Sequence, residues 1–237
     1  MTEKTKRIGI EMYYPYELMS EAILEFLATG DINKEELFTR MHEVFEGDNR
    51  AKKATNSLYA VVMNKTHLQK ALKANYNSDS FSKLGKTDKQ LICLSLICLK
   101  YPFVMDSLIA FAKLFNAQDT VNVQYITSTM ASTYGSNRTM EIALKAVFYF
   151  ALNANIIKRE KPGLFSKCVP LQTSSFAKEA WISTYFKLNA NKALPINELR
   201  YEPVLSYLSD FDIDWNNTKI LETMEDYSNQ VTINKLK

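Results

Sequence analysis

The chain has 237 residues, enough for one large domain or two small ones, and is 46% hydrophobic and 23% charged, as ordinary globular proteins are. A net charge of +3 excludes a histone-like basic tail and an acidic disordered tail. Only 6 glycines and 6 prolines are present, too few for the turns of a large β-sandwich or a doubly wound α/β enzyme, which points to a mostly helical protein.

Residues 17–29 place Leu18, Ala22, Ile23, Phe26 and Leu27 at helical spacing, and Gly30 is a stop signal. Asn33 with Glu36 three residues on resembles a capping box. The helix it opens carries Leu37, Phe38, Met41, Val44 and Phe45 inward and breaks at Gly47-Asp48-Asn49. A third helix is expected over 50–64 and a short fourth over 67–74, with 75–86 as loop. Thr87-Asp88-Lys89-Gln90 has the form of another capping box. The helix 88–100 behind it is apolar nearly all round, which marks a central core helix. Pro102 suits the first position of the next helix, 103–115.

Asn122 is expected to cap a helix over 123–133. Gly135 then makes a turn, Ser136 or Asn137 caps, and a helix over 138–154 turns Ile142, Ala146, Val147, Phe150 and Ala151 inward. Two β-type runs follow, 156–160 and 164–170, joined by Lys161-Pro162-Gly163, where proline presets φ and glycine accepts φ > 0. Two helices, a short turn, a helix and a hairpin is the element order of a winged helix-turn-helix. The remainder reads as helical: 175–188, then 196–208 kinked or split by Pro203, then an amphipathic segment 218–227. The expected fold is mainly α, a helical bundle with a winged helix-turn-helix-like unit and one short β-hairpin. Its expected regions are 1–100, 101–171 and 172–237, with all three as one domain the alternative.

Cys93 and Cys98 lie inside the apolar run 91–99 and Cys168 is isolated, so no disulfide is expected and a reducing compartment fits. The opening residues lack the apolar core of a signal peptide, and the run 91–99 is too short to span a bilayer, so the expectation is a cytosolic protein without a membrane partner. His42 and His67 lack a partner at metal-ligand spacing. Neither common phosphate loop nor a G-x-S-x-G elbow occurs. Carboxylate pairs such as Glu35 and Glu36, or Asp212 and Asp214, read as solvated faces. The expectation is therefore no enzyme, no cofactor, no metal and no small-molecule substrate. A carboxylate site assembled from distant residues is the enzymatic alternative.

The charge is unevenly spread. Residues 1–47 carry −5, residues 48–100 carry +7, and residues 136–167 carry +4, while residues 198–237 carry −4. A basic middle between acidic ends is the footprint of nucleic-acid binding, because Lys and Arg neutralise phosphates and release counterions. Ser136, Asn137, Arg138 and Thr139 open the second helix of the proposed unit, with Glu141 and Lys145 a turn further on. Asn and Arg read base edges, while Ser and Thr usually contact phosphate. Lys158, Arg159, Lys161 and Lys167 on the hairpin would reach an adjacent groove or phosphate. Arg50, Lys52 and Lys53, with Lys65, Lys70 and Lys73, form a second basic set. Alternatives for the same region are a protein-partner surface and a plain solvated one.

Three stretches carry a resemblance: 49–64 (NRAKKATNSLYAVVMN), 87–115 (TDKQLICLSLICLKYPFVMDSLIAFAKLF) and 136–157 (SNRTMEIALKAVFYFALNANII). In order and spacing they resemble BrxA, the small helical protein of BREX phage-defence systems. The resemblance covers about residues 15–157 and implies an all-helical, DNA-binding, non-enzymatic accessory component of a defence complex. The first expectation for the chain is a double-stranded-DNA-binding accessory protein, with other proteins of a defence complex as partners. The hairpin and the helical tail after it depart from that pattern. The chain is also similar to the winged-helix subunits of bacterial condensin-like complexes, which implies an adaptor that docks on protein.

Overall fold

The computed structural model of the chain describes residues 7–189, 194–225 and 231–237. Local signals set the first helices. Helix α1 (Tyr16–Thr29) ends on Gly30, whose φ of 88° lets its N–H return to the Phe26 carbonyl at 2.9 Å. Helix α2 (Lys34–Val44) is capped by Asn33, which accepts from the Glu35 and Glu36 N–H groups. The reciprocal half of the expected box is not made by Glu36; the Asn33 N–H donates to Glu25 Oε1 at 2.6 Å. Helices α3 (Asp48–Val62) and α4 (His67–Asn75) follow. The stretch expected to be loop holds a one-turn helix, α5 (Ser78–Ser82), closed by a capping box of Asn77 and Ser80 around the buried Phe81.

Helix α6 (Lys86–Lys100) buries every residue from Gln90 to Cys98, as its unbroken apolar run requires. Its start departs from expectation, because the N-cap is Gly85 rather than Thr87. Asp88 serves elsewhere: its Oδ1 accepts the Ser174 N–H at 2.7 Å. Pro102 opens α7 (Pro102–Phe115) at its first position.

Next come strand β1 (Thr120–Asn122), helix α8 (Val123–Tyr134), helix α9 (Arg138–Asn153), and strands β2 (Ile157–Lys161) and β3 (Leu164–Lys167). The three strands form one antiparallel sheet in the order β1-β3-β2. The hairpin turns at Pro162-Gly163 with Gly163 at φ 76°, as expected. Strand β1 departs from expectation; three residues ending on the helix cap Asn122 become a strand only because β3 offers a partner. Phe148 stacks on Phe165 at 5.1 Å and meets Phe111 at 5.7 Å, which ties α9, the sheet and α7 together.

Helix α10 (Ser175–Leu188) is buried from Phe176 through Phe186, including four polar positions. Each of these is partnered. Lys178 pairs with Asp210, Glu179 accepts the backbone N–H groups of Lys219 and Ile220 at 2.7 and 2.9 Å, and the Ser183 and Thr184 hydroxyls donate to the Ala180 carbonyl. This helix therefore fastens the C-terminal residues to α6, against which it packs. Strand β4 (Leu194–Pro195) leads into two 3-10 turns, Ile196–Tyr201 and Pro203–Tyr207, split at Pro203. The expected helix 218–227 is instead strand β5 (Leu221–Glu225) as far as it is described, and residues 226 and 227 lie outside the described residues. It pairs with β6 (Val231–Leu236) in a second antiparallel sheet of order β4-β6-β5. The molecule is thus mainly helical with two small sheets where one hairpin was expected.

One apolar cluster runs from Ile8 to Ile233 and crosses the three regions expected from the sequence. Among the described residues no single helix is long and apolar enough to cross a membrane; α6 and α7 qualify only as a pair bent by 116°.

Candidate nucleic-acid interface

The interface is built around the turn between α8 and α9. Gly135 takes φ 80° and ψ 149°, a region close to glycine-only, and reverses the chain there. Ser136, Asn137, Arg138 and Thr139 are all exposed beyond it. Asn137 is the N-cap, its Oδ1 accepting the Met140 N–H at 2.9 Å. That bond occupies one of the two lone pairs of Oδ1, so a two-point contact to adenine would share this oxygen with the cap.

Arg138, Glu141, Ile142 and Lys145 follow one another along the exposed side of α9. Ile142, expected inward, is 39% exposed. The stripe stops one turn past Lys145, where Tyr13 stacks on Tyr149 with ring centroids 4.2 Å apart. Arg138 to Lys145 spans about 10 Å of helix axis, which is about three base-pair steps. Helix α8, next to it, has no charged residue, and Ser128, Thr129, Ser132 and Thr133 lie exposed along it. Nothing on that helix repels phosphate.

The hairpin cations differ from one another. Lys158 is exposed but bridges to Glu160 at 2.9 Å. Glu160 also accepts from Ser166 Oγ at 2.5 Å, and that bond, with Lys158, holds its carboxyl below the usual range. Arg159 lies 5.6 Å over the Phe165 ring. Lys161 is exposed at the last position before the turn. Lys167 is half-buried: it donates to Ser206 Oγ at 3.1 Å, and burial lowers its pKa. The turn itself is short and fastened, with the Gly163 carbonyl accepting the Val123 N–H at 2.8 Å.

The second basic set divides. Arg50, Lys52 and Lys53 are exposed on the first turns of α3. Arg50 and Lys145, far apart in sequence, line one groove of about 210 Å³ whose apolar walls are Met12, Tyr13, Phe45, Ile142 and Ala146. Glu11 stands at its rim and pairs with Lys53 at 3.4 Å. Lys65 follows the other end of α3, about 20 Å away by helix rise, and Lys70 and Lys73 lie beyond it on α4; Lys73 sits 4.3 Å over the Phe26 ring. Among the described residues, Arg50, Lys52, Arg138, Lys145 and Lys161 make no ion pair. The parts that sequence reasoning missed are Glu11, Tyr13 and the exposure of Ile142. The N-terminal residues have no periodicity to announce a contact with α9.

The remaining reactive side chains have structural surroundings. His42 pairs with Asp48 at 2.8 Å, and His67 Nε2 lies 3.2 Å from Ser183 Oγ. Burial pushes the His67 pKa down to about 4, with Lys187 adding to the effect. Cys93 and Cys98 are buried, and burial pushes the Cys93 thiol up to about 12. Among the described residues no three His, Cys, Asp or Glu side chains gather as a metal site. Comparison with protein families, curated proteins and solved structures finds no match to this chain.

Proposed function

We propose that the protein binds duplex DNA through a winged helix-turn-helix unit made of α7, β1, α8, α9, β2 and β3. The observation that carries this reading is the surface formed by α8 and α9: a charge-free helix bearing hydroxyls beside a helix that opens with exposed Arg138 and reaches Lys145, with Arg50 across the groove. The sheet order β1-β3-β2 supports it, since that order sets a hairpin beside the second helix of the pair. Ser136, Thr139 and the Ser128 and Thr133 hydroxyls suit phosphate, whereas Thr129 and Ser132 already donate to the Tyr125 and Thr129 carbonyls at 2.8 and 2.7 Å; Arg138 and Lys145 suit base edges or phosphate, and Lys161 suits the flanking backbone. Lys158, Arg159 and Lys167 are held by neighbours and contribute less. An accessory role in a prokaryotic phage-defence system rests on the resemblance to BrxA.

Five unpaired cations imply about four to five phosphate contacts and a log–log salt slope of about −4, so affinity falls about 250-fold between 50 and 200 mM salt. Fluorescence anisotropy on short duplexes measures this. Arg138→Ala and Lys161→Ala each reduce the slope by about one, while Lys167→Ala leaves it unchanged. No duplex binding at 50 mM salt, or an affinity indifferent to salt, refutes the proposal.

The apolar groove between Tyr13, Phe45 and Ile142 favours a second reading, an adaptor that docks on protein. In that case a defined partner binds stoichiometrically and Arg138→Ala leaves its affinity unchanged.

A further inference from the structure

Charge does not account for one side chain on the outer face of α9. Ile142 is 39% exposed, one turn after Arg138 and about one before Lys145. A β-branched apolar side chain in water gains nothing there, yet gains free energy when an apolar group covers it. Its neighbours in the groove are Met12, Tyr13, Phe45 and Ala146, so a group arriving over Ile142 meets a surface that is already partly dry.

In the major groove one base presents an apolar group, the C5-methyl of thymine. The exposed Arg138 guanidinium has the geometry that pairs with guanine O6 and N7. Four residues of helix separate Arg138 from Ile142, about 6 Å of rise, and base pairs stack about 3.4 Å apart. The two side chains therefore address positions about two base pairs apart. Glu141 lies on the same stripe and accepts hydrogen bonds only, so it is repelled by the acceptor edge of guanine at its own position.

We infer that Ile142 is a specificity-determining residue that contacts a thymine methyl, so that the preferred duplex carries guanine and thymine about two pairs apart. The inference rests on the duplex-binding reading above. It assigns the apolar end of the groove to the nucleic acid rather than to a peptide.

The test uses the full chain and two labelled duplexes of one sequence, with guanine and thymine repeated two pairs apart. In the second duplex every thymine is replaced by deoxyuridine, which lacks only the methyl. One buried methyl corresponds to about a fourfold difference in affinity, so the wild type binds the deoxyuridine duplex about fourfold more weakly. Ile142→Ala binds both equally, and Ile142→Val restores part of the difference. Because the side chain is half in solvent, thermal melts of the variants confirm the fold. Equal binding of the two duplexes by the wild type, with a steep salt dependence, overturns the inference and leaves duplex binding standing. A ratio that persists in Ile142→Ala also overturns it, since the methyl then contacts something else. Absence of duplex binding at low salt overturns the function and the inference together.

Discussion

Replacing Gly135 with alanine isolates the backbone cost of the turn that sets α9 beside α8. Its φ of 80° and ψ of 149° lie where an L side chain is strained by about 1–3 kcal/mol. A Cβ there meets only Asn137 Nδ2, at 3.6 Å, which is ordinary contact. The cost is therefore conformational rather than a clash. Alanine also narrows the unfolded ensemble, which returns about 0.4–1 kcal/mol. The net loss is about 1–2 kcal/mol, or about 3–6 °C in Tm for a chain of this size. Relaxing the strain by rotating the residue would break the bond from its N–H to the Ala131 carbonyl at 2.9 Å, so relief is local and costly. Gly85→Ala is the matched control. Gly85 has φ −60° and ψ 155°, and its nearest non-neighbour is Asp88 Oδ2 at 3.9 Å, so alanine there stays within about 0.5 kcal/mol of wild type. Thermal unfolding followed by circular dichroism compares the three proteins. A Gly135→Ala protein that melts with the wild type refutes the strain argument, as does an equal loss in Gly85→Ala.

Two pH-dependent predictions accompany it. Lys178, together with the Asp212 N–H and the Ser209 hydroxyl, holds the Asp210 carboxyl down to about 2. A depressed acid stabilises the fold above its ordinary value of about 4, and the contribution is lost as pH falls through about 2. Asp210→Asn is accordingly less stable than wild type at neutral pH, and denaturant titrations show the difference shrinking between about pH 4 and pH 2; a constant difference contradicts the linkage. His67 acts in the opposite pH sense from a stabilised cation. Its folded pKa is about 4 against an ordinary value of about 6.5, so in that window the unfolded chain takes a proton that the folded one refuses. Stability falls as pH drops through the window, by an amount on the order of 2–3 kcal/mol. His67→Gln keeps a hydrogen-bonding group beside Ser183 and should flatten that part of the curve; an unchanged slope rejects the assignment.

The first helices were legible because their signals are local. Gly30, Asn33, Pro102, Asn122 and Asn137 each end or begin a helix where the sequence places the boundary. Signals that need a distant partner were not legible. Residues 221–225 place their apolar side chains, Leu221 and Met224, three apart as one helical face does, and only pairing with β6 makes them a strand. Helix α10 shows the same limit in another form. Lys178 and Glu179 are charged, yet both are buried, because Asp210 and the Lys219 and Ile220 N–H groups, all distant in sequence, receive them. The candidate interface divides likewise. The basic segments and the Asn137 cap follow from the sequence, whereas the pairing of Lys158 with Glu160 and the seating of Lys167 at Ser206 depend on the fold.

The extent of the exposed stripe on α9 is decided by the core rather than by α9 itself. Ile10 and Tyr14 are fully buried, and Tyr14 meets Phe150 edge-on at 5.3 Å. Those anchors fix the residues between them, so Tyr13 has to lie against Tyr149 and Glu11 beside Lys53. The same short segment therefore closes the apolar end of the helix, offsets one cation of α3, and leaves Arg50 facing Lys145 across the groove. A near-neutral total charge is compatible with a locally basic surface for this reason: core packing at residues 10 and 14 sets Glu11 against Lys53 and leaves its neighbours Arg50 and Lys52 without an ion pair among the described residues.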